Sequence, residues 1–190
     1  MGQAFEFHMT DIEGLYEVVP FYAGDLRGGF TKDYSREVFQ AHGIYHELAE
    51  VFYTTSHKGV LRGLHFQRIK QQAKLVRCIS GRVWDVAVDL RKDSPTFMQY
   101  RAFELTGENR REVLIPGGCA HGYLVLNDSV VSYKCGERFY GEYDDGIVWD
   151  DPDLAIKWPL DMLGIVKPVL SEKDQMLQSF RGFMDAHGGF

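Results

Sequence analysis

Short apolar runs with period-two alternation dominate the chain, and Gly, Asn, Asp and Pro break them. Trp84, Val86, Val88 and Leu90 alternate with Asp85, Ala87 and Asp89, the pattern of a strand. Ser80-Gly81 separates this run from LVRCI (75–79), and Asn127-Asp128 separates YLVL (123–126) from SVVSYKC (129–135). Both junctions read as hairpin turns. Many short strands at such spacing predict an all-β sandwich or barrel. Two helices are expected, one from Ser35 to about His42 with Gly43 as its stop, and one from near Ser171 through SEKDQMLQSF. Residues 1–20 read as an N-terminal arm or edge strand, and the last ten, with Gly188 and Gly189, as a loose tail. No repeat or linker interrupts the 190 residues, which read as a single domain with a C-terminal helix and tail at about 171–190.

Composition narrows the function classes. Hydrophobic residues make up 45% and charged residues 25%, enough to bury a core without disulfides or metal. With 21 Lys and Arg against 27 Asp and Glu, the net charge of −6 is unsuited to a general nucleic-acid binder. Cys78, Cys119 and Cys135 are odd in number and lack a CxxC spacing, which fits a reducing compartment better than a disulfide framework or zinc site. The start, MGQAFEFHMTD, has no signal-peptide pattern, and Glu6 stands where myristoylation of Gly2 would want Ser or Thr. No run approaches the length of a membrane span, so a cytoplasmic protein is expected.

Four segments carry candidate chemistry. GVLRGLHFQ (59–67) sets Arg62 and His65 in an otherwise apolar strand, where a cation and an imidazole are costly to desolvate without partners. Taken alone, the segment is better explained by a hydrogen-bonded structural histidine. Strict alternation puts Arg62 and His65 on opposite faces, whereas a bulge at Gly63 would bring both to one site. In IPGGCAHGYLVL (115–126), Pro116 and two glycines force a turn ahead of His121, which local hydrogen bonding would also explain. In VVSYKC (130–135) Val131, Tyr133 and Cys135 share a face; such a tyrosine is either core or a proton donor aimed into a pocket. In LSEKD (170–174) Ser171 and Asp174 read as a capping box, or Asp174 fixes a histidine tautomer.

The first two segments resemble the halves of a cupin. Gly59, five residues and then His65 match the start of the first cupin motif; Pro116, Gly118 and His121 match the middle of the second. A metal cupin continues with another His two residues on, where this chain has Gln67. An amide is a poor replacement for imidazole on a transition metal, so the barrel is expected without a metal site.

Taken in order, DLRGGF (25–30), GVLRGLHFQ, QAKLVR (72–77), DVAVDLRKDSPTF (85–97), IPGGCAHGY (115–123), YKC (133–135), GIVWDDP (146–152) and LSEKD resemble the dTDP-4-dehydrorhamnose 3,5-epimerase family. The resemblance implies an all-β, cupin-like jelly-roll barrel with short peripheral helices, a homodimer, and no metal or redox cofactor. It implies His65 as the catalytic base, Asp174 as its partner and Tyr133 as the proton donor. It places Arg62, Lys74 and His121 at the sugar end of a nucleoside-diphosphate sugar, and Arg27 and Lys173 on the diphosphate. The implied chemistry suits those residue types. A C4 ketone acidifies the C3 and C5 hydrogens, a base near neutral pKa lifts one, and cations hold the developing O4 enolate. A phenol then returns a proton from the other face.

The chain departs from the family at the nucleotide end. Glu50 and Phe52 stand where Gln and Asn are common, Lys32 where an acid is frequent, and Arg138-Phe139 where a Tyr pair is usual. Phe52 is therefore a candidate for stacking on a nucleobase and Arg138 for reaching a phosphate. The expected activity is inversion of C3, C5 or both in a 4-keto-6-deoxyhexose nucleotide, with dTDP-4-dehydro-6-deoxyglucose as the first candidate, in deoxysugar synthesis. The alternatives are a C3-only epimerase on another nucleotide sugar, a metal-dependent cupin enzyme, and a non-catalytic sugar-binding barrel.

Overall fold

The computed structural model describes residues 4–190. Gly2 and the first residues of the expected arm lie outside that range. The fold is mostly β with a few short helices, as expected.

Two long strands organise it: β7 (Lys74–Asp89) and β10 (Cys119–Cys135). They run antiparallel along their whole length, from Cys119 opposite Asp89 to Cys135 opposite Lys74. Both expected hairpin turns are therefore corrected to bends within continuous strands. Ser80-Gly81 and Asn127-Asp128 meet across the ladder, where the register shifts between Val125 and Val131. Gly81 adopts φ +83°, and a Cβ there would sit 2.1 Å from the Asp128 carbonyl oxygen. A glycine in this conformation looks the same in sequence whether the chain reverses or kinks. Here the two breaks face each other, so each strand bulges around the other and neither folds back.

The bend makes the pair change neighbours. Before it, β7 pairs with β9 (Glu112–Ile115); after it, β7 pairs with β8 (Tyr100–Thr106). β10 pairs first with β6 (Leu61–Gln67) and then with β5 (Glu50–Ser56). From β9 the sheet continues to β2 (Tyr16–Val19) and β1 (Glu6–Met9), so the described part of the arm forms two strands. From β6 it continues to β11 (Asp144–Gly146). A separate hairpin, β3 (Phe21–Asp25) with β4 (Gly28–Lys32), joins none of these. Helix α1 (Arg36–Ala41) falls within the expected span.

The strand faces divide two cores. Val76, Cys78, Val83, Ala87, Tyr123, Val125, Val131, Tyr133 and Cys135 belong to the inner cluster. Val86, Val88 and Leu90 belong to an outer cluster with Phe66, Phe180 and Phe183. The apolar half of the 82–90 alternation thus points away from the inner cluster. Each large side chain buried this way contributes roughly 1.5–3 kcal/mol.

The C-terminal segment differs from expectation twice. The single helix from Ser171 is two helices, α2 (Glu172–Gln175) and α3 (Phe180–His187), each capped by a serine hydroxyl, Ser171 and Ser179. Between them Gln178 bridges to Ile147 and accepts from Val148 N, which pulls the chain out of helical geometry. The final residues are not a loose tail. Phe190 exchanges backbone hydrogen bonds with Leu90 and Lys92, and its ring packs 5.3 Å from Phe66 and 5.5 Å from Phe183. Burial of that aromatic anchors the terminus despite the two glycines before it.

Candidate active site

A cavity of about 290 Å³ opens into the inner side of the barrel. Its wall includes Phe52 and Thr54 from β5, Arg62 and His65 from β6, Lys74 from β7, and His121, Tyr123 and Tyr133 from β10. Gln67, Gln72, Phe139, Asp144 and Lys173 also line it. Arg62 and His65 share the cavity because the ladder slips between them: His65 pairs with His121 and Arg62 with Tyr123. Gly63 makes the slip possible, since a Cβ there would lie 2.5 Å from the His121 carbonyl oxygen.

His65 donates Nε2–H to Asp174 Oδ1 at 2.5 Å. The donated proton fixes the tautomer, leaving the lone pair on Nδ1, which has no protein partner among the described residues. Asp174 is 4% exposed. Burial pushes its carboxyl up, but the His65 hydrogen bond and charge outweigh that, and it ends below the usual carboxylate range. Both readings of LSEKD apply together: Ser171 Oγ accepts from Asp174 N as a cap, while the Asp174 carboxylate reaches His65. Helix α2 is the device that presents the carboxylate.

A second imidazole–carboxylate pair lies beside the first. His121 donates Nε2–H to Asp85 Oδ2 at 2.8 Å, and Asp85 is fully buried on the polar half of the β7 alternation. Sequence analysis singled out His121 but not Asp85. An acid recurring at period two among apolar residues was the available signal.

Two cations face the cavity without carboxylate partners among the described residues. Arg62 is held by neutral groups, with Nε donating to Ser56 Oγ at 2.9 Å and Nη2 to the Thr55 carbonyl at 3.4 Å. Lys74 makes no ion pair, and burial pushes its ammonium below the usual value, the charges of Cys135, Asp144 and Asp85 opposing only in part. Lys173, half-exposed at the mouth, pairs with Asp144. Tyr133 is 8% exposed. Burial pushes its phenol well above the ordinary value of 10.0, with Tyr123 and Asp85 pushing the same way. Tyr123 shares a hydrogen bond with Thr54 Oγ1 at 2.8 Å.

The remaining candidates make other contacts, some of them in the cavity wall and some outside it. Phe52 stacks on Tyr133, ring centroids 4.8 Å apart and planes 16° apart. Glu50 does not line the cavity; its carboxylate accepts from Phe139 N at 3.0 Å and steadies the 137–140 loop. Gln67 ties the same loop, donating to the Lys70 and Arg138 carbonyls and accepting from Tyr140 N. Its amide is thus engaged at both ends, and among the described residues no three His, Cys, Asp or Glu side chains converge as a metal-ligand set. Arg138 lies over the Tyr140 ring, outside the cavity. Arg27 is 90% exposed on the β3–β4 hairpin, paired with Asp25, and borders a different depression.

The family described as dTDP-4-dehydrorhamnose 3,5-epimerase matches residues 9–182. The chain belongs to this family. It is 46% identical over 178 residues to the dTDP-4-dehydrorhamnose 3,5-epimerase of Methanothermobacter thermautotrophicus, covering 93% of this chain and 95% of that one. Its fold matches the crystal structure of dTDP-6-deoxy-D-glucose-3,5-epimerase from Legionella pneumophila Philadelphia 1 in complex with dTDP-4-keto-L-rhamnose. That match has a TM-score of 0.88, 38% identity, and covers 94% of each chain. It also matches a 3'-monoepimerase from Streptomyces bikiniensis in complex with dTDP-quinovose, with a TM-score of 0.85 and 31% identity, over 94% of this chain and 90% of that one. These neighbours make the architecture a cupin-like fold of the epimerase family, and the enzyme class isomerase. No helix of the described residues is long and apolar enough to cross a membrane.

Proposed function

We propose that this epimerase acts on dTDP-4-keto-6-deoxyglucose in rhamnose biosynthesis, with His65 as base and Tyr133 as acid. The observation that carries the reading is the His65–Asp174 pair opening on a cavity that also contains Tyr133, Lys74 and Arg62. His65 Nδ1 takes the proton from the carbon beside the C4 ketone, and the electron pair moves onto O4 as an enolate. Asp174 steadies the imidazolium that forms. Lys74 and Arg62, which have no carboxylate partner among the described residues, meet the negative charge at O4. Tyr133 delivers a proton to the opposite face of the carbon, and solvent restores the phenol and discharges His65. Two groups on two faces produce inversion, where a single base would return the proton to its origin. His121, with its Nε2–H given to Asp85, keeps Nδ1 to accept a hydrogen bond from a sugar hydroxyl.

Lys173 at the mouth suits the diphosphate. Arg27 reaches a diphosphate only if the exposed β3–β4 hairpin, with Leu26 and Phe30 turned to solvent, crosses to another subunit. That supports a homodimer, which light scattering on the purified chain tests. The buried unpaired thiols of Cys78, Cys119 and Cys135 are in keeping with a cytoplasmic enzyme.

The test of the chemistry is proton NMR of dTDP-4-keto-6-deoxyglucose in heavy water, following C3 and C5 separately. Wild-type protein is expected to exchange and invert. His65→Ala is expected to lose about 10²–10⁴-fold in exchange while keeping its circular dichroism. Undiminished exchange in that variant removes His65 from the role of base. Inversion at C3 alone would favour the monoepimerase alternative.

A further inference from the structure

Resting on the epimerase reading above, we propose that Phe52 is a positioning residue for Tyr133 and sets how often the enolate is protonated from the tyrosine side. Phe52 and Tyr133 are directly opposite each other in the β5–β10 ladder, so both rings rise from the same side of the sheet. The rings lie nearly parallel, 4.8 Å between centroids. The other aromatic neighbours of Tyr133 are farther and not parallel to it: His121 meets it edge-on at 73° and 5.9 Å, and Tyr123 is tilted at 46° and 6.5 Å. Phe52 is thus the ring laid flat on the phenol among the described residues. It is also the outer one, 41% exposed where Tyr133 is 8%. Among the described residues β5 pairs with no strand other than β10, so no described strand beyond Phe52 supports that face of Tyr133.

This arrangement has a chemical consequence. Once His65 has removed a proton, the enolate has two ways back. The imidazolium can return a proton to the same face, which restores the starting configuration. Tyr133 can add one to the opposite face, which inverts the carbon and leaves a phenolate that solvent reprotonates. The choice between them depends on whether the phenol oxygen stands within reach of the carbon, and displacements near 1 Å change such rates by about 10²-fold. A flat ring on one side and angled rings on the other hold the phenol in place, and they keep bulk water from the carbon's second face.

The test uses the partition of one intermediate, which weaker substrate binding alone does not move. In heavy water, deuterium incorporated with retention reports return from the His65 side, and deuterium incorporated with inversion reports delivery from the Tyr133 side. Phe52→Ala is expected to lower the inversion-to-retention ratio about tenfold or more. Phe52→Tyr, which keeps a flat ring, is expected to preserve it. Phe52→Leu, which fills space without a flat face, is expected to fall between Phe52→Ala and wild type. As a readout independent of turnover, the ultraviolet titration of Tyr133 in Phe52→Ala should move back toward that of an ordinary tyrosine. An unchanged ratio in Phe52→Ala, or a Phe52→Leu ratio equal to that of Phe52→Tyr, overturns the proposal while the epimerase reading stands. Absence of any exchange by the wild-type protein overturns that reading and this proposal with it.

Discussion

His65 and His121 stand opposite each other in the β6–β10 ladder, and each gives its Nε2–H to a buried aspartate, Asp174 or Asp85. The two pairs differ in their access to the cavity. The His65 side chain is 29% exposed and that of His121 is 4% exposed. A base that must discharge its proton to solvent in every cycle needs the first environment. A group that only fixes a hydroxyl is served by the second.

Asp85→Asn tests that division. An amide can donate to His121 Nε2 and so move the ring proton to Nδ1, replacing an acceptor with a donor at the cavity face. The expected result is a KM raised about tenfold, or ~1.4 kcal/mol, with a smaller change in kcat. Steady-state kinetics and the ¹⁵N shifts of the His121 ring check it. A variant with the wild-type tautomer and KM would show that Asp85 only fills space.

Tyr133 should remain a phenol at a pH where an exposed tyrosine is half ionised, because burial raises its pKa well above 10.0. A group with a raised folded pKa contributes stability below its unfolded pKa and loses it as pH rises through the folded value. The measurement is the phenolate absorbance difference between wild type and Tyr133→Phe across alkaline pH. It should show no tyrosine step near pH 10 attributable to this residue.

Asp89 is a third buried, hydrogen-bonded carboxylate beside Asp85 and Asp174. Its fully buried carboxylate accepts from Arg91 Nε at 2.8 Å, Ser94 Oγ at 2.6 Å and Thr96 Oγ1 at 2.8 Å. Burial raises its pKa, but these bonds outweigh it and the net shift is downward. Asp89→Ala should cost roughly 3 kcal/mol at neutral pH, since it strands a part-buried guanidinium and two hydroxyls. A depressed carboxyl contributes stability above its unfolded pKa of about 3.9 and loses it as pH falls through the folded value. Urea unfolding of both proteins should therefore show the gap narrowing below about pH 4.

Gly81→Ala should destabilise the barrel by more than about 2 kcal/mol, combining the left-handed backbone with the collision against Asp128. Chemical denaturation with an unchanged m-value checks it. A neutral substitution would mean that the β7–β10 bend tolerates a side chain and does not depend on glycine.

Much of the site was legible because its residues conflict with their surroundings. Arg62 and His65 in an apolar strand, and Pro116 with two glycines before His121, stood out from their surroundings, although each segment alone also had a plain structural explanation. The ordered set of segments then pointed to a family, and membership in that family is what the fold and relatives show. Asp85 stayed hidden because it sat in a clean alternation that reads as solvent facing. In a barrel with a polar cavity the polar face of a strand can be the inner one, and only the second layer decides which side is which.

The chain's own pattern determined that this protein is built from strands, where they break, and which side chains are too polar for a plain core. Tertiary structure decided what each break does. Gly81 bends β7 because Asn127-Asp128 lies across from it, Gly63 slips the ladder so that Arg62 joins His65, and Asp174 meets an imidazole 109 residues earlier in the chain. It also laid Phe52 flat against Tyr133 across the β5–β10 ladder. Local sequence encodes backbone preference and polarity over a few residues. Which two distant segments share a face depends on the pairing of whole strands, and that is settled only when both layers bury their apolar sides together.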